Sequence, residues 1–363
     1  MSTQSIPSFI GFNRPKKRAN GKTLWREVNL KGMISVLLLL ALLMPAGCST
    51  PMREVDDSDA LMGVDEEDTG HAEPFSDPDF WQTGEPWTGE GIHWQDPAFE
   101  RVIRSVLGKQ EGPIEPEEVA GIETLLISGT EVMIREDGFL YFEFNPQGYI
   151  TQLDDLIHFE ALKRLKLINN QVRDLTPLAE MPQLEGLWME YNQISDLTPL
   201  AELDNLTVLY IGGNQISDLN PLSELTQLTR LRLHGNTISD LTPLAALSRL
   251  QSLDLNNNQI RDLSPLKKLA SLDELWLDSN KVIDLSPLAE LSGLTWLSLI
   301  GNEIRDLGPL SNLTDLEYLD LRVNQVEDLT PLSSLNRLTH LDLGVNPVED
   351  WSPVFHVEGL YGH

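Results

Sequence analysis

The chain has 363 residues and a formal net charge of −30. A surface this acidic repels phosphate backbones, which excludes nucleic acid as a partner. The single cysteine excludes an intramolecular disulfide and a thiolate metal cage.

The charge is unevenly placed. Arg14, Lys16, Lys17, Arg18, Lys22, Arg26 and Lys31 stand near the start against one anion, Glu27, which leaves 19 cations and 55 anions from Cys48 onward, a balance of −36. The basic start, the apolar run Ile34 to Met44 and the small residues before Cys48 predict a secretory signal over residues 1–47. The apolar run is shorter than the roughly 20 residues a membrane span requires. Cys48, directly after Ala46-Gly47, resembles the cysteine of bacterial lipoprotein signals. The resemblance implies lipidation of Cys48, export, and a membrane anchor in the cell envelope.

Residues 48–95 carry no periodic apolar pattern. From Ser49 to Gln95 there are 13 acidic residues and one basic residue, Arg53, a composition that predicts a disordered, self-repelling tether. Trp81, Trp87 and Trp94 are out of place in a tether and are expected to fold back onto the next domain.

Residues 96–161 read as an N-terminal cap and a degenerate first repeat. Asp96-Pro97 starts a helix, Phe99, Val102, Ile103, Val106 and Leu107 share one face, and Gly108 ends it. Phe139 to Phe144 reads as a strand, hairpinned with Thr124–Ser128 or with the segment beginning at Glu131, and Tyr149 to Phe159 resembles the back half of a repeat.

From residue 162 to 359 the sequence repeats every 22 residues, with copies starting at Leu162, Leu184, Leu206, Leu228, Leu250, Leu272, Leu294, Leu316 and Leu338. Positions 1, 4, 6, 11, 14, 17 and 20 are apolar in all nine copies, position 9 is always Asn, position 13 always Asp and position 16 always Pro. This pattern resembles the 22-residue, internalin-like class of bacterial leucine-rich repeats. The resemblance implies an α/β solenoid: a right-handed horseshoe or arc with one short parallel strand per turn and an N-terminal helical cap. No single turn can bury its own leucines; stacked turns make one continuous core. Asn at position 9 is expected to bond the backbone of neighbouring turns. Asp at position 13 is assigned to backbone N–H groups, since one carboxylate per turn is thin coordination for Ca²⁺. Ser or Thr at position 15 before Pro is expected to cap a short helical turn on the outer wall. Listerial internalins continue into an immunoglobulin-like domain and a sorting signal, which the residues after Val357 do not supply, so host-cell invasion is not expected.

Positions 3, 5, 7 and 8 face solvent and form the default binding surface of such an array. Trp188, Tyr191, Tyr210, Trp276, Trp296 and Tyr318 are expected as large aromatics on an open face, with Arg230, Arg232, His234 and Arg322 among them. Trp, Tyr and Arg are the residue types that concentrate binding energy. Arg164, Lys166, Arg230 and Arg232 form a basic cluster in the first half. The competing explanation of the aromatics is strand propensity and cross-strand stacking. These residues point to an envelope protein that binds another protein, host or bacterial; glycan binding and a purely structural envelope role are the alternatives. The histidines lie in no zinc-like pair and no phosphate loop is present, so neither an enzyme nor a cofactor or metal is expected.

Overall fold

The computed structural model describes residues 91–362, apart from 129–130, 137–138 and 145–147, and gives no side chains between 129 and 147. The signal segment, Cys48, most of the tether, Trp81 and Trp87 lie outside the described residues. Among the described residues no helix is long and apolar enough to cross a membrane.

One open sheet runs through the whole array. Its strands in chain order are β1 (Thr124–Ser128), β2 (Glu131–Glu136), β3 (Phe139–Phe144), β4 (Arg164–Ile168), β5 (Gly186–Trp188), β6 (Val208–Tyr210), β7 (Arg230–Arg232), β8 (Ser252–Asp254), β9 (Glu274–Trp276), β10 (Trp296–Ser298), β11 (Tyr318–Asp320), β12 (His340–Asp342) and β13 (Gly359–Tyr361). β1 and β4 to β13 are parallel, each hydrogen-bonded to the next turn's strand, and β2–β3 is an antiparallel hairpin paired onto β1. The register advances by 22 residues, so that Leu165 lies beside Leu187 and Leu187 beside Leu209. The leucines of positions 4 and 6 point inward and are fully buried from Leu165 to Leu343.

Asn at position 9 seals the joint between turns. Asn258 is representative: its Oδ1 accepts from Ile238 N (3.0 Å), and its Nδ2 donates to Leu233 O (3.0 Å) one turn back and to Leu255 O (3.1 Å) in its own turn. These are buried backbone groups that no ladder reaches, and an unpaired one costs as much as a lost hydrogen bond.

The opposite wall differs from expectation. Its short helical turns are 3₁₀, and the residue flanking each is position 14, Leu in eight copies and Trp351 in the ninth, with no side-chain cap from position 15. The acceptor is Asp at position 13, which takes the position-15 N–H in every copy, as in Asp240 to Thr242 (2.8 Å). The short carboxylate reaches two residues forward in an Asx-turn, and Pro at position 16 fixes φ just after it. In the copies with Ser or Thr at position 15, the hydroxyl and this N–H hold the carboxylate below its usual range, as in Asp240 and Asp262.

The array has an irregular turn at each end. β1 and the 3₁₀ turn Asp154–His158 are the front and back of one repeat, split by the β2–β3 hairpin. Helix α1 (Pro97–Val106) covers it. Asp96 caps α1 through Ala98 N and Phe99 N, and its other oxygen takes Thr151 N (2.7 Å) and Gln152 N (3.1 Å). Asp155 returns the tie by accepting from Gln95 N and Asp96 N. Phe99 stacks on Phe159 at 5.7 Å, and Trp94 packs edge-on against Phe99, as expected of a tryptophan folding back. Val106, placed on the buried face by its spacing, is exposed instead, because it lies in the last turn, beyond the ring contacts. At the far end the ninth turn is short: Leu360 pairs with Leu341, so β13 forms three residues earlier than the 22-residue period places it.

Candidate functional site

The outward face of the strands is built in rows. Position 5 of successive turns reads Lys166, Trp188, Tyr210, Arg232, Asp254, Trp276, Ser298, Asp320 and Asp342, each beside the next. Position 3 carries Arg164, Gly186, Val208 and Arg230 in the first four turns and Trp296, Tyr318 and His340 in the last three.

The aromatics do not stand open as the sequence suggested. Trp188, Tyr210, Trp276 and Tyr318 are buried, Trp296 is half-buried, and only Tyr191 is more than half exposed. Strands about 4.8 Å apart bring neighbouring rings into contact, and each ring covers the next. In the later turns the rings form a ladder: Trp276 tilts against Trp296, Trp296 stacks on Tyr318 at 3.6 Å, Tyr318 stacks on His340 at 4.3 Å, and His340 tilts against Tyr361 at 5.0 Å. In the early turns Trp188 meets Tyr210 edge-on at 6.0 Å, and the Arg232 guanidinium lies 4.1 Å over the Tyr210 ring. Glycines let these rings lie down: a Cβ at Gly186 would strike the Trp188 ring and one at Gly213 the Tyr191 ring, each at 2.5 Å.

Most of the acidic side chains on this face are already engaged. Asp254 Oδ2 lies 3.1 Å from His234 Nδ1. Burial lowers the His234 pKa, but Asp254 and Glu190 outweigh it and the net shift is upward. Asp278 accepts from Ser298 Oγ and from Ile300 N, and burial pushes its pKa up to about 6. Asp320 is clamped by Arg322, whose Nη2 lies 2.7 Å from Oδ2, and the same guanidinium reaches Asp342 at 3.5 Å. Arg322 is therefore a strut between carboxylates rather than a free cation. Glu190 is buried with one oxygen unpartnered, and desolvation raises its pKa against the pull of Arg232 and His234.

Position 8 holds Tyr191, which sequence reasoning named, and Val323 and Val345, which it passed over. All nine copies sit at positive φ there, between 54° and 66°. Gly213, Gly235, Gly301, Asn169 and Asn257 suit that conformation. Tyr191 (φ 57°), Val323 (55°) and Val345 (62°) do not, and a β-branched residue there is an outlier. All three side chains are also exposed, at 55%, 50% and 78%. The signal was present in the sequence as a column of Gly, Asn and Ser interrupted by large apolar residues. Among the described residues no group of three His, Cys, Asp or Glu is placed to hold a metal ion.

Stacked 22-residue turns, one parallel strand each, a buried Asn ladder and a helical cap define a leucine-rich-repeat solenoid. The family described as "Leucine Rich repeats (2 copies)" matches residues 160–202, 204–246, 248–290, 292–334 and 316–356, and the chain belongs to it. Within that family it is internalin-like. It resembles an internalin, InlF, from Listeria monocytogenes at 30% identity and a TM-score of 0.66, over 73% of this chain and 74% of that one. A leucine-rich-repeat protein from Leptospira interrogans is 26% identical with a TM-score of 0.57, over 65% of this chain and 58% of that one. InlJ from Listeria monocytogenes shares the fold at 23% identity and a TM-score of 0.56, over 73% of this chain and 58% of that one. The comparison with curated proteins finds no match.

Proposed function

We propose that this is an exported envelope protein, anchored through a lipid on Cys48, that binds another protein with the outward face of its strands. One observation carries the reading: Tyr191, Val323 and Val345 hold exposed apolar side chains in a conformation that glycine, asparagine and one serine, Ser279, fill elsewhere. Strained backbone costs on the order of 1–3 kcal/mol per residue, and it concentrates at functional sites. Trp188, Tyr210, Trp276, Trp296 and Tyr318 form a rigid floor between these contacts, with Arg230, Arg232 and His234 as its polar elements. The ring faces are covered by other rings, and a sugar needs an open ring face to stack on, which favours a protein over a glycan.

Capture from envelope extracts and host-cell surface fractions tests the reading. The unaltered chain is compared with a variant carrying Tyr191→Gly, Val323→Gly and Val345→Gly. A partner held by the first and lost by the second is the expected result; equal capture by both removes the strand face from the function. Incorporation of a fatty-acid analogue tests the anchor, and Cys48→Ala should abolish labelling.

A further inference from the structure

Arg322 apart, the partly exposed cations of the strand face lie at one end. In turns five to nine the carboxylates Asp278 and Asp320 are satisfied from within. In turns one to four, Lys166 and Arg230 form no hydrogen bond or ion pair through their side chains among the described residues, and Arg164 reaches only Glu185, at 3.9 Å. The Arg232 guanidinium carbon sits 4.1 Å over the Tyr210 ring, and a guanidinium carries a fork of N–H donors that suits a carboxylate.

The strand register turns these four cations into a frame. Arg164 and Arg230 end one row and Lys166 and Arg232 end the next, three strand steps apart. Between them lie Gly186, Val208, Trp188 and Tyr210, all buried and forming a low apolar floor. Three steps of about 4.8 Å separate the ends of a row by about 14 Å. An extended chain advances about 3.4 Å per residue, so residues four apart stand about 14 Å apart, and they point to the same side as the residue midway between them.

We infer that turns one to four hold an extended acidic segment of a partner protein, crossing the strands with two carboxylates four residues apart and an apolar side chain midway. The carboxylates meet the two cationic ends and the apolar side chain lies on the Trp188–Tyr210 floor. The anions around this frame are Glu185, partly exposed and 3.9 Å from Arg164, and Glu190 and Asp254, both buried, with Asp254 Oδ2 3.1 Å from His234 Nδ1. The inference rests on the strand face being the binding face and adds the chemistry of what binds there.

Fluorescence anisotropy with labelled ten-residue peptides tests it on the full chain. The first peptide carries two aspartates four apart with leucine midway, the second has the same composition with the aspartates adjacent, and the third replaces the aspartates with lysine. The first should bind at least fivefold tighter than the others and weaken as salt is raised from 50 to 500 mM, because exposed charge pairs are screened. Lys166→Gln with Arg230→Gln should weaken it about tenfold, the effect of losing two charge contacts, whereas Lys267→Gln, on the opposite 3₁₀ wall, should leave it unchanged. Equal binding of the first two peptides would overturn the spacing argument without any appeal to a variant. Displacement of the first peptide by a polyuronate at lower concentration than by unlabelled peptide would overturn it in favour of an acidic polysaccharide. A captured partner that is lost with the three glycine substitutions but kept with the two glutamines would leave the proposed function standing and overturn this inference alone.

Discussion

Replacing Asn258 with alanine tests the joint between turns. The side chain is 8% exposed. Its loss orphans the Ile238 N–H, which has no other acceptor among the described residues, and a buried unpaired donor costs roughly 1–3 kcal/mol. The carbonyls of Leu233 and Leu255 each lose one of two donors, since Asn236 still reaches the first at 2.9 Å and Asn280 the second at 2.9 Å. Each such loss adds about 0.5–1 kcal/mol, for a total near 3 kcal/mol. The comparison is Asp262→Ala, an exposed carboxylate held by the N–H (2.8 Å) and hydroxyl of Ser264, where water replaces the acceptor and the cost is about 1 kcal/mol. Urea denaturation followed by far-UV circular dichroism gives both numbers. The slope should also fall for Asn258→Ala, because a weakened interface lets the two halves of a nearest-neighbour array unfold separately. If Asn258→Ala costs no more than Asp262→Ala, the ladder does not hold the turns together.

Three further outcomes follow from the same structure. Val345→Gly should leave stability unchanged or raise it by up to about 1 kcal/mol, as relief of left-handed strain offsets the greater freedom of glycine in the unfolded chain; a loss of more than that in thermal denaturation would show that the valine is held by packing. Asp278 has a folded pKa of about 6, above its unfolded value, so the folded state binds the extra proton between roughly pH 4 and 6 and stability falls as pH rises through that window. Asp278→Asn keeps the acceptor for Ile300 N and should gain on the unaltered chain by roughly 3 kcal/mol at pH 8 relative to pH 4; parallel pH profiles would contradict this. Phe99→Ala should cost about 3–5 kcal/mol, and hydrogen exchange should show β1 losing protection while β8 keeps its own.

The core was legible because burial imposes the period directly. Leu165, Leu187 and Leu209 are equivalent in sequence and neighbours in space. Asn at position 9 was legible for the same reason, since a buried backbone repeats its demand every turn. The surface was less so. Sequence places Trp188 outward but cannot say that Gly186 lets the ring lie down, because that depends on a neighbouring side chain's rotamer. β13 was missed because the ninth turn is short and Leu360 falls out of phase with the 22-residue count. The cap of the 3₁₀ wall was assigned to position 15 because Ser/Thr-Pro is a helix-start signal, while the carboxylate two residues earlier takes the N–H first.

The Asn ladder also bears on how such a chain changes length. Its bonds between turns reach back 20 or 25 residues, whichever turn they belong to. Contact order therefore falls as turns are added, and a longer array need not fold more slowly for its length. Duplicating one 22-residue unit in frame would recreate each bond of the joint and extend the sheet by about 4.8 Å. Reach is thus an evolutionary variable nearly independent of stability, and a new turn would arrive with its outward positions free to diverge.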